Sequence, residues 1–334
     1  MNLKPDLAEE LKNVKTVTIA GHIRPDGDAV GSCMGLYLYL KENWPELDLK
    51  VYLEEIPESY YLLKDASEIC HSFTEDRESD LFFCLDCADE LRLGEAVKYK
   101  NSARKTICVD HHISNDGFCD VNYIVPEASS TSELIYTLLD REKITRFAAE
   151  ALYMGIVHDT GVFRHSNTAP ETLETAADLL RRGIDGSRII NLTYYDKTYY
   201  QNQILGRALL ESILLLDGKI IFSVVRRRQM VFYGVGPSDL DGIVQTLMST
   251  AGTEAAIFMY ETDPQVYKVS LRSRDKVDVS SIASFFGGGG HIHAAGCTMQ
   301  GSVYDVVNNI TYYMEKQLQE AEKSQSEENQ VTEQ

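Results

Sequence analysis

The sequence predicts an α/β protein of two domains, an N-terminal open, mostly parallel sheet joined by a helical linker to a smaller α/β domain. Three observations predict it. Short, continuously apolar runs alternate with helical patterns through the first half, as buried parallel strands and their crossover helices do. Residues suited to metal chemistry follow directly on several of those runs, where open α/β sheets bind ligands. The chain of 334 residues is also too long for one ordinary core.

In order, Val14 to Ala20 is expected as a strand, Asp28 to Asn43 as a helix and Leu49 to Leu53 as a strand. Leu81 to Leu85 and Thr106 to Val109 are further strands, each short and apolar throughout. Helical patterns follow at Ser132 to Leu139 and at Arg146 to Val157, the latter preceded by Thr145 as a cap. The catalytic domain is expected over 1–190. Around Asn191 to Gly206 the composition turns rich in Tyr, Asn and Gln, which marks a linker over 191–210 leading into a helix at Gln203 to Ser212. A second domain is expected over 211–320. Its strands are Lys219 to Val225 after an Asp217-Gly218 turn, Ala255 to Glu261 and Val266 to Arg272. The Glu-, Gln- and Ser-rich residues 321–334 are expected to be a disordered acidic tail.

Bulk properties narrow the chemistry. A formal charge of −19 argues against a partner such as long duplex nucleic acid, which needs a broad basic surface, but leaves small anionic ligands open. No apolar run reaches the ~20 residues of a membrane helix, and the N-terminal residues lack the apolar core of a signal peptide, so a cytoplasmic protein without membrane contact is expected. The seven cysteines are odd in number and lie mostly in apolar stretches, as buried thiols of a reducing compartment do. Cys84 and Cys87 have C-x-x-C spacing, but no second pair exists to complete a zinc tetrahedron. Both are taken as structural.

Four acidic and histidine clusters stand out: His22-x-x-x-Asp26-x-Asp28, Asp86 after a strand, Asp110-His111-His112 after another, and His158-Asp159-Thr160-Gly161 at a helix end. An isolated Asp-x-Asp is usually a turn or a cap. Four such clusters, three of them at strand ends, are hard to produce by chance and supply more ligands than one ion needs. Mixed carboxylate and imidazole suits Mn²⁺, with Mg²⁺, Co²⁺ or Fe²⁺ as alternatives. Two ions about 4 Å apart activate water and hold both the attacking and the leaving oxygen of a phosphoryl centre.

This set of motifs resembles the DHH phosphoesterase superfamily. The resemblance implies that His22, Asp26 and Asp86 hold one ion, and that Asp28, Asp86, His111 and Asp159 hold the other. It also implies that Asp110 orients an imidazole and that His112 touches the scissile phosphate or its leaving oxygen. Further along, Gly287-Gly288-Gly289-Gly290-His291 followed by small residues resembles the glycine-rich motif of the DHHA1 domain, and the small residues are expected to open a helix. Upstream, Arg272-Ser273-Arg274 ends a strand. Two arginines near such a loop suggest a clamp for a terminal phosphate, made with Gly288, Gly289, Gly290 and His291. Arg164 is a weaker candidate for phosphate contact. The pairing of the two domains implies a two-metal hydrolase of short RNA or dinucleotides giving 5′-mononucleotides, with pAp as a further substrate. Cyclic di-AMP or pApA is the alternative, and a nucleotide-binding regulator is the alternative of another class. A homodimer is left open.

Overall fold

Residues 4–332 are described by the computed structural model, with side chains as far as 323. The chain divides into two compact units, Met1–Asp196 and Lys197–Gln334.

Unit 1 is built on a five-stranded sheet in the order β2-β1-β3-β4-β5, with every pair parallel. The strands are β1 (Thr16–Ala20), β2 (Asp48–Tyr52), β3 (Leu81–Leu85), β4 (Thr106–Asp110) and β5 (Val121–Ile124). β3 and β4 are buried at every position, which explains their uninterrupted apolar sequence. β5 escaped the sequence reading. It is a half-buried edge strand whose Val-Asn-Tyr-Ile pattern is too short and mixed to announce itself.

Helix α1 (Gly27–Asn43) starts at Asp26, whose carboxylate accepts from the amides of Asp28 (3.0 Å) and Ala29 (3.1 Å). It is buried from Gly27 through Leu40 and packs on α3 (Arg146–Asp159), which Thr145 caps. Gly31 permits that approach, because a Cβ there would sit 2.7 Å from Ala151 O. Between them in sequence lies α2 (Thr131–Leu138), capped by Ser130.

Unit 2 carries a six-stranded mixed sheet, order β10-β11-β9-β8-β7-β6. Its strands are β6 (Ile213–Leu215), β7 (Ile220–Val225), β8 (Ala255–Asp263), β9 (Val266–Ser273), β10 (Gly289–His291) and β11 (Ala294–Gln300). Only β7 and β8 pair in parallel. The helix preceding the sheet, α4 (Tyr199–Leu210), closes a capping box between Thr198 and Gln201.

One expectation is corrected here. The glycine run does not open a helix. It forms the first strand of a hairpin, with Gly289, Gly290 and His291 opposite Gly296, Ala295 and Ala294. Small residues on both strands allow that close pairing. The last described helix is α5 (Val303–Thr332), which runs into the acidic stretch 321–334, and residues 333–334 lie outside the described residues. Its Glu, Gln and Lys are good helix formers, so a polar composition does not by itself remove the helix. Among the described residues no helix is long and apolar enough to cross a membrane.

Candidate metal centre

The parallel sheet delivers the predicted residues of unit 1 to one rim. His22 lies two residues beyond β1, Asp86 directly beyond β3, and Asp110 ends β4. Asp86 takes a left-handed backbone, φ +56°, which Asp tolerates better than most residues and which turns its carboxylate at the strand end. Its amide remains in the sheet, donating to Val109 O at 3.1 Å.

Three groups of side chains offer ligand atoms close enough to share an ion: His22, Asp26 and Asp86; Asp28, His111 and Asp159; and Asp86, His111 and His112. Asp86 joins two of them. Its Oδ2 lies 3.5 Å from His22 Nε2 and its Oδ1 lies 3.6 Å from His111 Nε2. His111 Nε2 is in turn 3.3 Å from Asp159 Oδ2, and His22 Nε2 is 3.7 Å from Asp26 Oδ1. The carboxylate between the two imidazoles therefore presents one oxygen to each side.

Surrounding groups orient this set. His22 Nδ1 lies 2.8 Å from Ile23 O, and a proton donated there leaves the Nε2 lone pair for a metal. Asp110, fully buried, accepts from His112 Nδ1 at 2.8 Å and from Asn115 Nδ2 at 2.7 Å. Asp28 accepts from Thr131 N at 2.6 Å and Ser132 N at 2.9 Å, at the N-terminus of α2. Thr131 Oγ1 donates to Asp86 Oδ1 at 3.1 Å. His158 stands apart from the ligands. Its Nε2 is 3.0 Å from Thr193 Oγ1, its ring meets Tyr60 edge-on, and burial drops its pKa to about 4. A Cβ on Gly27 would overlap that ring, so His158 fixes the start of α1.

Electrostatics supports a cation here. Burial, then the charges of Asp86 and Asp159, push the Asp28 carboxyl well above its usual range. Burial, then Asp86 and Asp26, do the same to Asp159. Burial would lower His22, but hydrogen bonds and charge from Asp26 and Asp86 outweigh it and raise the imidazole to about 11. Protons thus stand where divalent charge would neutralise the crowded carboxylates. The donor set, oxygen-rich with imidazole, fits Mn²⁺ or a similar ion.

Sequence reasoning missed Thr131, Ser132, Asn115 and Tyr60. The run Ser129-Ser130-Thr131-Ser132 before a helical pattern was the one available signal, since exposed amides at a helix start attract carboxylates. Nothing in sequence marks Asn115.

In unit 2 the predicted clamp residues diverge. Arg272 and Ser273 are adjacent on β9 and so face opposite sides of the sheet. Arg272 Nη1 donates to Leu271 O at 2.9 Å, and with the Gln245 amide turned over its oxygen accepts from Arg272 Nη2 (3.1 Å) and Nε (3.2 Å). Burial lowers the Arg272 pKa, with Asp241 opposing. Ser273 Oγ lies 3.1 Å from Nδ1 of His293, a residue to which the sequence assigned no role. Arg274 is tied to the backbone of its own unit. Its guanidinium donates to the carbonyls of Thr253 (2.8 Å) and Met248 (2.9 Å), at the end of the helix Ile243–Met248 and the turn after it. Those bonds give Arg274 a structural task. Gly288, Gly289, Gly290 and His291 are exposed along the hairpin.

Comparison with known proteins agrees with this architecture. Residues 16–156 match the DHH family, N-terminal domain, and residues 217–320 match the DHHA1 domain. The chain is 30% identical over 303 residues to the bifunctional oligoribonuclease and PAP phosphatase NrnA of Bacillus subtilis, covering 89% of this chain and 93% of that protein. It is likewise 30% identical to the NrnA of Thermus thermophilus, covering 88% of each. The crystal structure of an exopolyphosphatase-related protein from Bacteroides fragilis aligns with a TM-score of 0.85 at 26% identity, over 92% of this chain and 94% of that one. The domain pair, and identity sustained across nearly the whole length, establish that the chain is a hydrolase of the DHH–DHHA1 phosphoesterase family.

Proposed function

We propose that the protein hydrolyses short oligoribonucleotides or dinucleotides to 5′-mononucleotides, and pAp to AMP, with two Mn²⁺ ions. The observation that carries this reading is Asp86 set between His22 and His111, with one oxygen toward each. A single carboxylate shared by two ligand groups suits a pair of ions rather than one. The curated relatives named as oligoribonucleases and PAP phosphatases support the substrate class.

The metal pair supplies Lewis acidity and activated water when bound. The protein's own contribution is orientation and proton placement. Asp110 fixes His112 through Nδ1, and burial, which alone would lower that imidazole, is overcome by Asp110, which raises it to about 9. A cationic His112 is suited to give a proton to the departing oxygen. Asp28, tied to the amides of Thr131 and Ser132, keeps one ligand rigid from a buried helix start. In unit 2, Arg272 and the hairpin carrying Gly288, Gly289, Gly290 and His291 are assigned to the terminal phosphate of the substrate.

Turnover of pApA, pGpG, pAp, a short RNA and cyclic di-AMP with Mn²⁺ tests the reading. Release of AMP from pApA and pAp is expected. Tight binding of one of these without turnover of any would replace the enzyme with a nucleotide-binding regulator.

A further inference from the structure

We propose that Arg92 is a phosphate-binding residue of the site, holding a non-bridging oxygen of the scissile phosphate beside the His22 group; this rests on the two-ion reading above. Arg92 was singled out by neither motif nor spacing. It lies in the 3₁₀ turn Glu90–Ala96 after β3, whose start is capped by Asp89, the carboxylate accepting from Arg92 N at 3.1 Å. The turn is fastened to the loop after β1, because Ile23 N donates to Arg92 O at 2.7 Å. Gly94 lets the two segments meet: its φ is +54° and a Cβ there would lie 2.5 Å from Ile23 Cγ2. The backbone of Arg92 is therefore held against the loop that supplies His22 and Asp26.

The guanidinium then reaches the ligand set. Arg92 Nη2 lies 3.2 Å from His22 Nδ1. When that nitrogen carries its proton toward Ile23 O, as a ligand through Nε2 requires, the ring offers Arg92 no acceptor. Arg92 makes no ion pair with a carboxylate among the described residues, although Arg77, Arg146 and Arg182 in the same unit each do. The side chain is exposed, so solvent or a substrate must take its donors.

Charge gives the reason for it. Ionised Asp26, Asp28, Asp86 and Asp159 would cancel two divalent ions, so that net attraction for a phosphate falls to cationic side chains around them. In a chain of net charge −19 Arg92 adds a second local cation to that of His112, and a planar guanidinium matches two phosphate oxygens at once.

The test compares Arg92→Gln and Arg92→Lys in the full-length protein. Loss of one preorganised donor predicts a drop of about 100-fold in kcat/KM for pApA in the Gln variant. AMP binding in Mn²⁺, measured by calorimetry, is expected to weaken at least about tenfold, while Mn²⁺ affinity stays within about twofold. Arg92→Lys keeps the charge without the fork and is expected to recover only part of both losses. Wild-type AMP affinity and kcat/KM in Arg92→Gln would overturn the proposal, as would a parallel loss of Mn²⁺ affinity, which would make Arg92 a support for His22. A wild-type protein that turns over no nucleotide defeats the functional reading itself, a result visible before any variant is made.

Discussion

Asp110 exposes no surface, yet it carries a charge, and both its oxygens are engaged by His112 and Asn115. Removing one partner of such a pair leaves the other exposed to the full cost of burial. The sign of the pH dependence follows from His112. Its pKa in the folded protein is raised to about 9, against about 6.5 for a free imidazole, so its bond to Asp110 stabilises the fold fully below pH 6.5. That contribution is lost as pH rises through about 9. Asp110→Asn in metal-free protein is therefore expected to cost on the order of 3 kcal/mol at pH 6 and much less at pH 10, measured by urea unfolding. An equal cost at both pH values would show that Asp110 acts by packing alone. Asp86→Asn should be more drastic for activity, with turnover falling at least about 1000-fold and Mn²⁺ calorimetry losing the ion pair. The metal-type residues were legible in the sequence because four acidic and histidine clusters recur in one half of the chain, three of them at strand ends. Asn115 and Arg92 were not, because one is placed by a loop that returns to β4 and the other by a turn joined to the loop after β1.

At the scale of elements, glycine separates what sequence could show from what it could not. The run Gly287–Gly290 was visible, but its four members are not equivalent. A Cβ on Gly288 would overlap the backbone oxygen of Gly296, and Gly290 has φ +147° and little room beside Ala294 O. Gly289 faces open space. Gly289→Ala is expected to leave the melting temperature of unit 2 within about 2 °C, whereas Gly288→Ala should cost about 1–3 kcal/mol through displacement of the hairpin. The reverse order would contradict the pairing of β10 with β11. Strands β3 and β4 were readable because burial on both faces writes itself as a nearly unbroken apolar run, whereas the half-buried edge strand β5 left no such trace. The hairpin was not, since Gly and Ala carry little strand preference and pair here through the absence of side chains. Gly155 makes the same point inside α3. A Cβ there would overlap Ser132 Oγ and lie 2.7 Å from Asp28 Oδ1, so a glycine within a helix protects a carboxylate on another element.

For the whole molecule, each unit owns its core. Val17, Leu36, Phe83 and Leu152 belong to the cluster of unit 1, and Ile220, Ile257, Leu271 and Ile310 to one of unit 2. All the proposed metal ligands fall in the first unit. Binding stabilises only the state that binds, by about 2.7 kcal/mol per site at a free ion concentration 100 times Kd. With two sites Mn²⁺ is therefore expected to raise the unfolding transition of unit 1 by about 10–20 °C in scanning calorimetry and to leave that of unit 2 in place. The shift should shrink as pH falls, because protons held by Asp28 and Asp159 above the usual carboxylate range compete with the ion for the same oxygens. It should vanish in Asp86→Asn. A single transition that moves as one with Mn²⁺ would mean that the two units unfold together, and unit 2 would then inherit the stability of a metal centre to which it contributes no ligand.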